Sequence, residues 1–119
     1  MQYALVVYET AAELESRDDP AKAAAYWAAY THYSKALVDA GVAAGGAGLQ
    51  SPALATTVRI RSGQRLVQDG PFADTKEMLG GLFMIEVGDL ETALLWASRC
   101  PAASTGSVEV RPMLPPPNL

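Results

Sequence analysis

The chain has 119 residues, half of them hydrophobic, and a net charge of −4. That length makes one domain with a real core, and the lack of any basic cluster excludes nonspecific nucleic-acid binding, which needs many phosphate-neutralising cations. One cysteine, Cys100, and one histidine, His32, exclude an internal disulfide and leave too few strong ligands for a zinc site, so neither a metal nor a cofactor is expected.

No apolar run approaches the roughly 18 residues of a membrane helix. The first nine residues lack the basic start of a signal peptide. The expected location is therefore cytoplasmic, with no membrane contact. Residues 3–8, Tyr-Ala-Leu-Val-Val-Tyr, form a continuous apolar run. They predict a central strand buried on both faces, or with one face in a subunit interface. Residues 10–17 read as a polar connection with a helical turn. Asp18-Asp19-Pro20 then starts a long helix, with an acidic N-cap and proline in the first turn. The helix runs to about Ala40 and stops at Gly41.

Its apolar stripe is Ala23, Tyr26, Trp27, Tyr30, Tyr33, Leu37 and Ala40, at spacings of three and four. His32 falls on the opposite face with Lys35 and Asp39, which favours a solvated surface residue over a catalytic base. Four aromatic rings on one stripe are more than a small core requires. They pack the core, or some of them line a cleft with the hydroxyl of Tyr26, Tyr30 or Tyr33 turned toward a ligand.

Residues 42–49 are Gly-rich without the spacing of a phosphate loop, and they read as a strand that another backbone or a ligand approaches closely. Residues 55–61 alternate, Ser62-Gly63 turns, and residues 64–68 return as a hairpin. Residues 82–87 form the next strand. Asp89 caps a second helix to about Arg99, with Leu90, Ala93, Leu94 and Ala97 on its buried stripe, ended by Cys100-Pro101. Residues 108–111 alternate as a last strand. The domain is thus residues 1–112, followed by a Pro-rich tail over residues 113–119.

The densest set of specialised residues is Asp69-Gly70-Pro71-Phe72-Ala73-Asp74-Thr75-Lys76-Glu77. Gly70-Pro71 predicts a tight turn. Pro71 has no N–H for an Asx-turn, so Asp69 is expected to accept the amide of Phe72 or Ala73, or to serve another element. Asp74 and Glu77 have capping-box spacing and predict a short helical turn ending at Gly80-Gly81.

The order strand, helix, strand, hairpin, strand, helix, strand gives two βαβ-like halves around a hairpin, a ferredoxin-like α+β pattern. Two helices cover one sheet face. The other face predicts a homodimer, sheet to sheet.

The nine-residue motif, with Leu79-Gly80-Gly81-Leu82-Phe83 after it, resembles the signature of DGPF-domain proteins of the YCII-related group. The starting strand, the Gly45-to-Leu49 segment, the helix end at Cys100-Pro101 and Val108-to-Pro112 are similar as well. The resemblance implies a dimeric α+β barrel of ferredoxin-like subunits. It also implies, for some members, an association with extracytoplasmic-function sigma factors. In the wider group a His on the first helix and an Asp near the end of the second are the implied catalytic pair. The matching positions here hold Tyr30 and Cys100, so the pair is not carried over.

Two readings follow. One is a small-molecule-binding protein or enzyme whose pocket lies between the first helix and the sheet, with Tyr8, Tyr30, Asp69, Phe72 and Cys100 as candidate ligand-binding residues. In it Tyr30 is a weak acid and Asp69 a base if desolvated. The other is a noncatalytic regulatory partner of a sigma factor.

Overall fold

The computed structural model describes residues 1–117. Nine strands and helices follow in order: β1 (Gln2–Thr10), α1 (Ala11–Asp18), α2 (Ala23–Asp39), β2 (Ala43–Gly48), β3 (Thr56–Arg61), β4 (Gln64–Asp69), β5 (Glu77–Glu86), α3 (Leu90–Arg99) and β6 (Ser107–Pro112). The residues past Pro112 are non-regular up to Pro117, and Asn118 and Leu119, the end of the expected tail, lie outside the described residues.

Four strands form one antiparallel sheet in the order β2-β5-β1-β6, and β3 pairs with β4 as a separate hairpin. Strands β1 and β2 are parallel to each other with β5 between them, and the helices α1 and α2 make the crossover. This is a split βαβ arrangement, repeated by β5, α3 and β6. Pro112 sits on the edge strand β6, where a missing N–H is tolerated.

Strand β1 is amphipathic rather than buried on both faces. Tyr3, Leu5, Val7 and Glu9 are buried, while Ala4, Val6 and Tyr8 are half-buried. The odd-numbered set faces α2 and α3 and meets Tyr33, Leu37, Ile85, Ala93 and Ala97 in the core. Leu5 and Ile85 are wholly inaccessible, and each such aliphatic side chain stabilises the fold by about 1.5–3 kcal/mol. The Tyr33 hydroxyl donates to the Trp96 carbonyl at 2.7 Å and ties α2 to α3. Helix α3 starts as expected, with Asp89 accepting the Thr92 amide. Its buried stripe is narrower than the sequence suggests: Ala93 and Ala97 are buried, but Leu90 and Leu94 are exposed.

Two expected helix starts differ in the structure. Residues 11–18 form a full helix, because Thr10 and Glu13 close a capping box immediately after β1. That helix consumes Asp18. Asp19 then caps a turn through Ala21 N and receives the Ala23 amide on its carbonyl, so α2 begins at Ala23. The second failure is at Asp74 and Glu77. No helix follows them, because residues 77–86 pair with β1 and residues 81–85 pair with β2 as well, and a strand so held outweighs a cap for a helix of one turn. The Glu77 carboxylate instead accepts the Ser107 hydroxyl at 2.6 Å.

The Gly70-Pro71 turn forms, with Gly70 at φ +97. It is held by the Gly70 amide on the Ala55 carbonyl at 2.7 Å and the Thr57 hydroxyl on the Gly70 carbonyl at 2.8 Å. Among the described residues the exposed Asp69 side chain makes no hydrogen bond, contrary to the role expected of it. In urea unfolding, Thr57→Val is expected to lose about 1 kcal/mol, whereas Asp69→Ala stays within about 0.5 kcal/mol of the parent. The opposite ranking would show that the carboxylate, not the hydroxyl, holds the turn.

Candidate functional site

The alternation of β1 carries one polar residue into the core face. Glu9 lies in phase with Leu5 and Val7 and is 2% exposed. Its Oε2 accepts the Tyr26 hydroxyl at 2.6 Å. Opposite it, β5 carries a bulge: Val7 pairs with Gly81 and Tyr8 with Leu79, which leaves Gly80 as the extra residue. A Cβ on Gly80 would stand 2.2 Å from Glu9 Oε1. The glycine therefore holds open the space that the carboxylate occupies.

Three aromatic residues of α2 face this end of the sheet. Tyr26 packs edge-on to Trp27 with ring centroids 4.9 Å apart, and Tyr26 lies 5.1 Å from Tyr30. Tyr30 is stacked over Phe83 at 6.4 Å. These rings and the glycines of β2 and β5 enclose a cleft of about 470 Å³, with Glu9 and Arg17 among its lining residues. Arg17 is 6% exposed, and its guanidinium donates to the Leu49 carbonyl, which locks α1 to the end of β2. The Tyr30 hydroxyl is buried and has no hydrogen-bond partner. An unpaired buried hydroxyl costs about 1–3 kcal/mol, so it needs an explanation.

Burial dominates the ionisation of this cluster. It pushes the Glu9 carboxyl above its ordinary 4.5, with Glu13 adding to the rise and the Tyr26 hydrogen bond and Arg17 opposing it. Burial also raises the Tyr26 and Tyr30 phenols, with the nearby Glu9 adding to both. Neither tyrosine serves as a base near neutral pH, and each keeps its proton as a donor. Cys100 is free and buried, and burial pushes its thiol up. It is a packed side chain at the end of α3 rather than a nucleophile.

The candidate residues do not form one pocket. Tyr30 lies in the cleft, and Cys100 lies close enough behind it for the two to influence each other's ionisation. Tyr8 points to the opposite face of the sheet. There, with Phe72, Pro71, Leu79 and the segment 49–57, it lines a second cleft of about 580 Å³. Phe72 is 79% exposed, with Arg59 over its ring at 5.3 Å. Asp69 lines neither cleft. The physical reason is the two-residue period of β1: Tyr8 and Glu9 are neighbours in sequence and lie on opposite faces. Sequence reasoning misses Glu9 and Arg17: Glu9 is the fourth member of the series Tyr3, Leu5, Val7, a phase that the apolar residues between them mask. Arg17 carried no such signal. Among the described residues no group of three or more His, Cys, Asp and Glu converges to hold a metal. No helix among them is long and apolar enough to cross a membrane.

The raised Glu9 value makes a signed prediction. A carboxyl whose folded-state value exceeds its unfolded value contributes stability that is full below about 4.5 and is lost as pH rises through the folded-state value. Glu9→Gln has no such titration at this position. Its melting temperature relative to the parent is expected to climb as pH rises from 4 and to level off once Glu9 is ionised. Arg17, Glu13 and Tyr26, the groups that bear on Glu9, are unchanged in the variant. A difference that is flat in pH, or that falls, would contradict the desolvated carboxylate.

Over 61 residues the chain is 48% identical to an uncharacterized protein of Rhizobium meliloti (strain 1021). The matched stretch covers 50% of this chain and 49% of that protein, so the match spans about half the length of this curated relative. The model of the YCII-related domain matches residues 1–116. The chain belongs to the YCII-related domain family.

Proposed function

We propose that the protein binds a small molecule in the cleft between α2 and the sheet, and that it does so as a homodimer of ferredoxin-like subunits joined through their open sheet faces into an α+β barrel. The observation that carries the binding reading is the cleft itself, about 470 Å³ walled by aromatic rings and glycine backbone, with the Glu9–Tyr26 pair and Arg17 among its lining residues. Polar groups of this kind fix a ligand's orientation in pockets of about 300–1,000 Å³. Nothing in the cleft requires turnover: the positions of the implied His–Asp pair hold a phenol and a thiol, both of which keep their protons.

Surface area supports the dimer. The chain exposes 8028 Å², roughly 1,800 Å² more than a folded monomer of this mass exposes. Its radius of gyration is 16.1 Å, against about 13.5 Å for a compact chain of this length. Standard interfaces bury about 800 Å² per partner. The uncovered surface is apolar where it needs to be: Ala4, Val6 and Tyr8 stand opposite Met84, Leu82 and Leu79 on the open face, and the hairpin exposes Val58, Ile60, Leu66 and Val67.

The binding reading is tested by thermal denaturation against a broad panel of metabolites. At a ligand concentration one hundred times Kd the fold gains about 2.7 kcal/mol, and the rise is expected to disappear in Trp27→Ala, whose ring is half exposed and lines the cleft. A panel with no response would overturn the reading. For the dimer, light scattering is expected to give the mass of two copies at micromolar concentration, and a monomer would contradict it.

A further inference from the structure

Strands β3 and β4 pair with each other and, among the described residues, with no other strand. Their ribbon is tied down at its base, where the Gly70 amide meets the Ala55 carbonyl and the Thr57 hydroxyl meets the Gly70 carbonyl. The molecule measures 47 × 47 × 21 Å. Its short dimension is that of one sheet and one helix layer, so the ribbon extends sideways and does not fold back over the body. A two-stranded ribbon standing alone in water is marginally stable at best.

Cross-strand pairing sorts the side chains of the ribbon onto two faces. Thr57, Arg59 and Leu66 share one face, and Arg59 there lies over the Phe72 ring. Val58, Ile60 and Val67 share the other, with Val58 directly opposite Val67 and Arg65 opposite Ile60. Each of these three β-branched side chains is more than half exposed. They form a bare apolar strip. The ribbon is not part of the four-stranded sheet, so contact between two such sheets does not by itself account for it.

Charge decides what covers the strip. Residues 56–69 hold Arg59, Arg61 and Arg65 against Asp69, a net +2, in a chain of net −4, which leaves −6 on the remainder. Two ribbons packed together would set like charges against each other. A ribbon against the body of a second copy sets opposite charges together. Surface area leaves room for such a contact: the excess over a compact monomer of this mass is roughly 1,800 Å², about twice the share that one partner buries in a standard interface.

Resting on the dimer reading above, we propose that the β3–β4 hairpin is an arm that each protomer lays against the body of its partner. Val58, Ile60 and Val67 are buried in that contact, and Arg61 and Arg65, beside the Ser62-Gly63 turn, face the acidic surface of the second copy.

The test is photocrosslinking from p-benzoylphenylalanine in place of Ile60, in dimers mixed from nitrogen-15-labelled and unlabelled chains. Crosslinks are expected between labelled and unlabelled chains, onto residues outside 56–69. Crosslinks confined to one chain, crosslinks from hairpin to hairpin, or no crosslink between chains would overturn the arm. Sedimentation of the unmodified protein and of Ile60→Glu gives a second measure, at an exposed position where the change leaves the core intact. The dimer dissociation constant of Ile60→Glu is expected to be at least about tenfold larger, the scale of losing one well-packed interface side chain. Added salt is expected to weaken the parent dimer, and to weaken it less when Arg61→Gln and Arg65→Gln are combined. A dimeric parent whose dissociation constant is unchanged in Ile60→Glu would overturn the arm and leave the sheet-to-sheet dimer. A monomeric parent would overturn the dimer reading with it.

Discussion

Glu9 sits two residues beyond Val7 on the covered face of β1, so the pleat that buries Leu5 and Val7 also takes its carboxylate out of water. A buried carboxylate is expensive unless its oxygens are paired. Several features of this end of the fold answer that demand. Tyr26 supplies a hydrogen bond, Arg17 supplies an opposing charge from α1, and the bulge at Gly80 supplies room. The capping box at Thr10 starts α1 directly after the strand, which is what brings Arg17 back over the site. Among the described residues Oε1 has no donor, and Glu9 is one of the residues that line the cleft.

This places the chemistry away from the most specialised stretch of the sequence. Residues 69–77 build a turn and the start of β5, and they border the second cleft on the open face. Their distinctive composition reflects backbone demands: positive φ at Gly70 and a side-chain tie from Glu77 to Ser107. In the proposed dimer the same face, with Tyr8 and Phe72, lies toward the partner. The sheet then has one face for the core and cleft and one for association, and the alternation of β1 divides the residues between them.

The element order and the hairpin were readable from periodicity and turn residues, because strands of alternating polarity and a capped, proline-stopped α3 are local signals. The exposed position of His32 followed from helical phase in the same way. What failed was competition between local signals and distant partners. Asp74 and Glu77 match a capping box as well as Thr10 and Glu13 do, but only the latter pair leads into a segment without strand partners. Glu9 was hidden because residues 3–8 look uniformly apolar, which masks the two-residue phase that continues to position 9. Tyr30 was recognisable as a cleft residue. Its unsatisfied hydroxyl depends on Glu9, Tyr26 and Phe83 converging from three elements, and sequence spacing does not encode that.

The central claim is that Glu9 is a desolvated carboxylate at the head of a ligand cleft. The most direct measurement is an NMR titration of the carboxyl carbons in protein labelled with carbon-13 glutamate, with Glu9 assigned by its absence in Glu9→Gln. The account predicts that the Glu9 resonance titrates above the ordinary carboxyl value of 4.5, and that Tyr26→Phe moves it higher still by removing the hydrogen bond that favours its ionised form. A Glu9 midpoint at or below that ordinary value, or a fall on removing the Tyr26 hydroxyl, would contradict it.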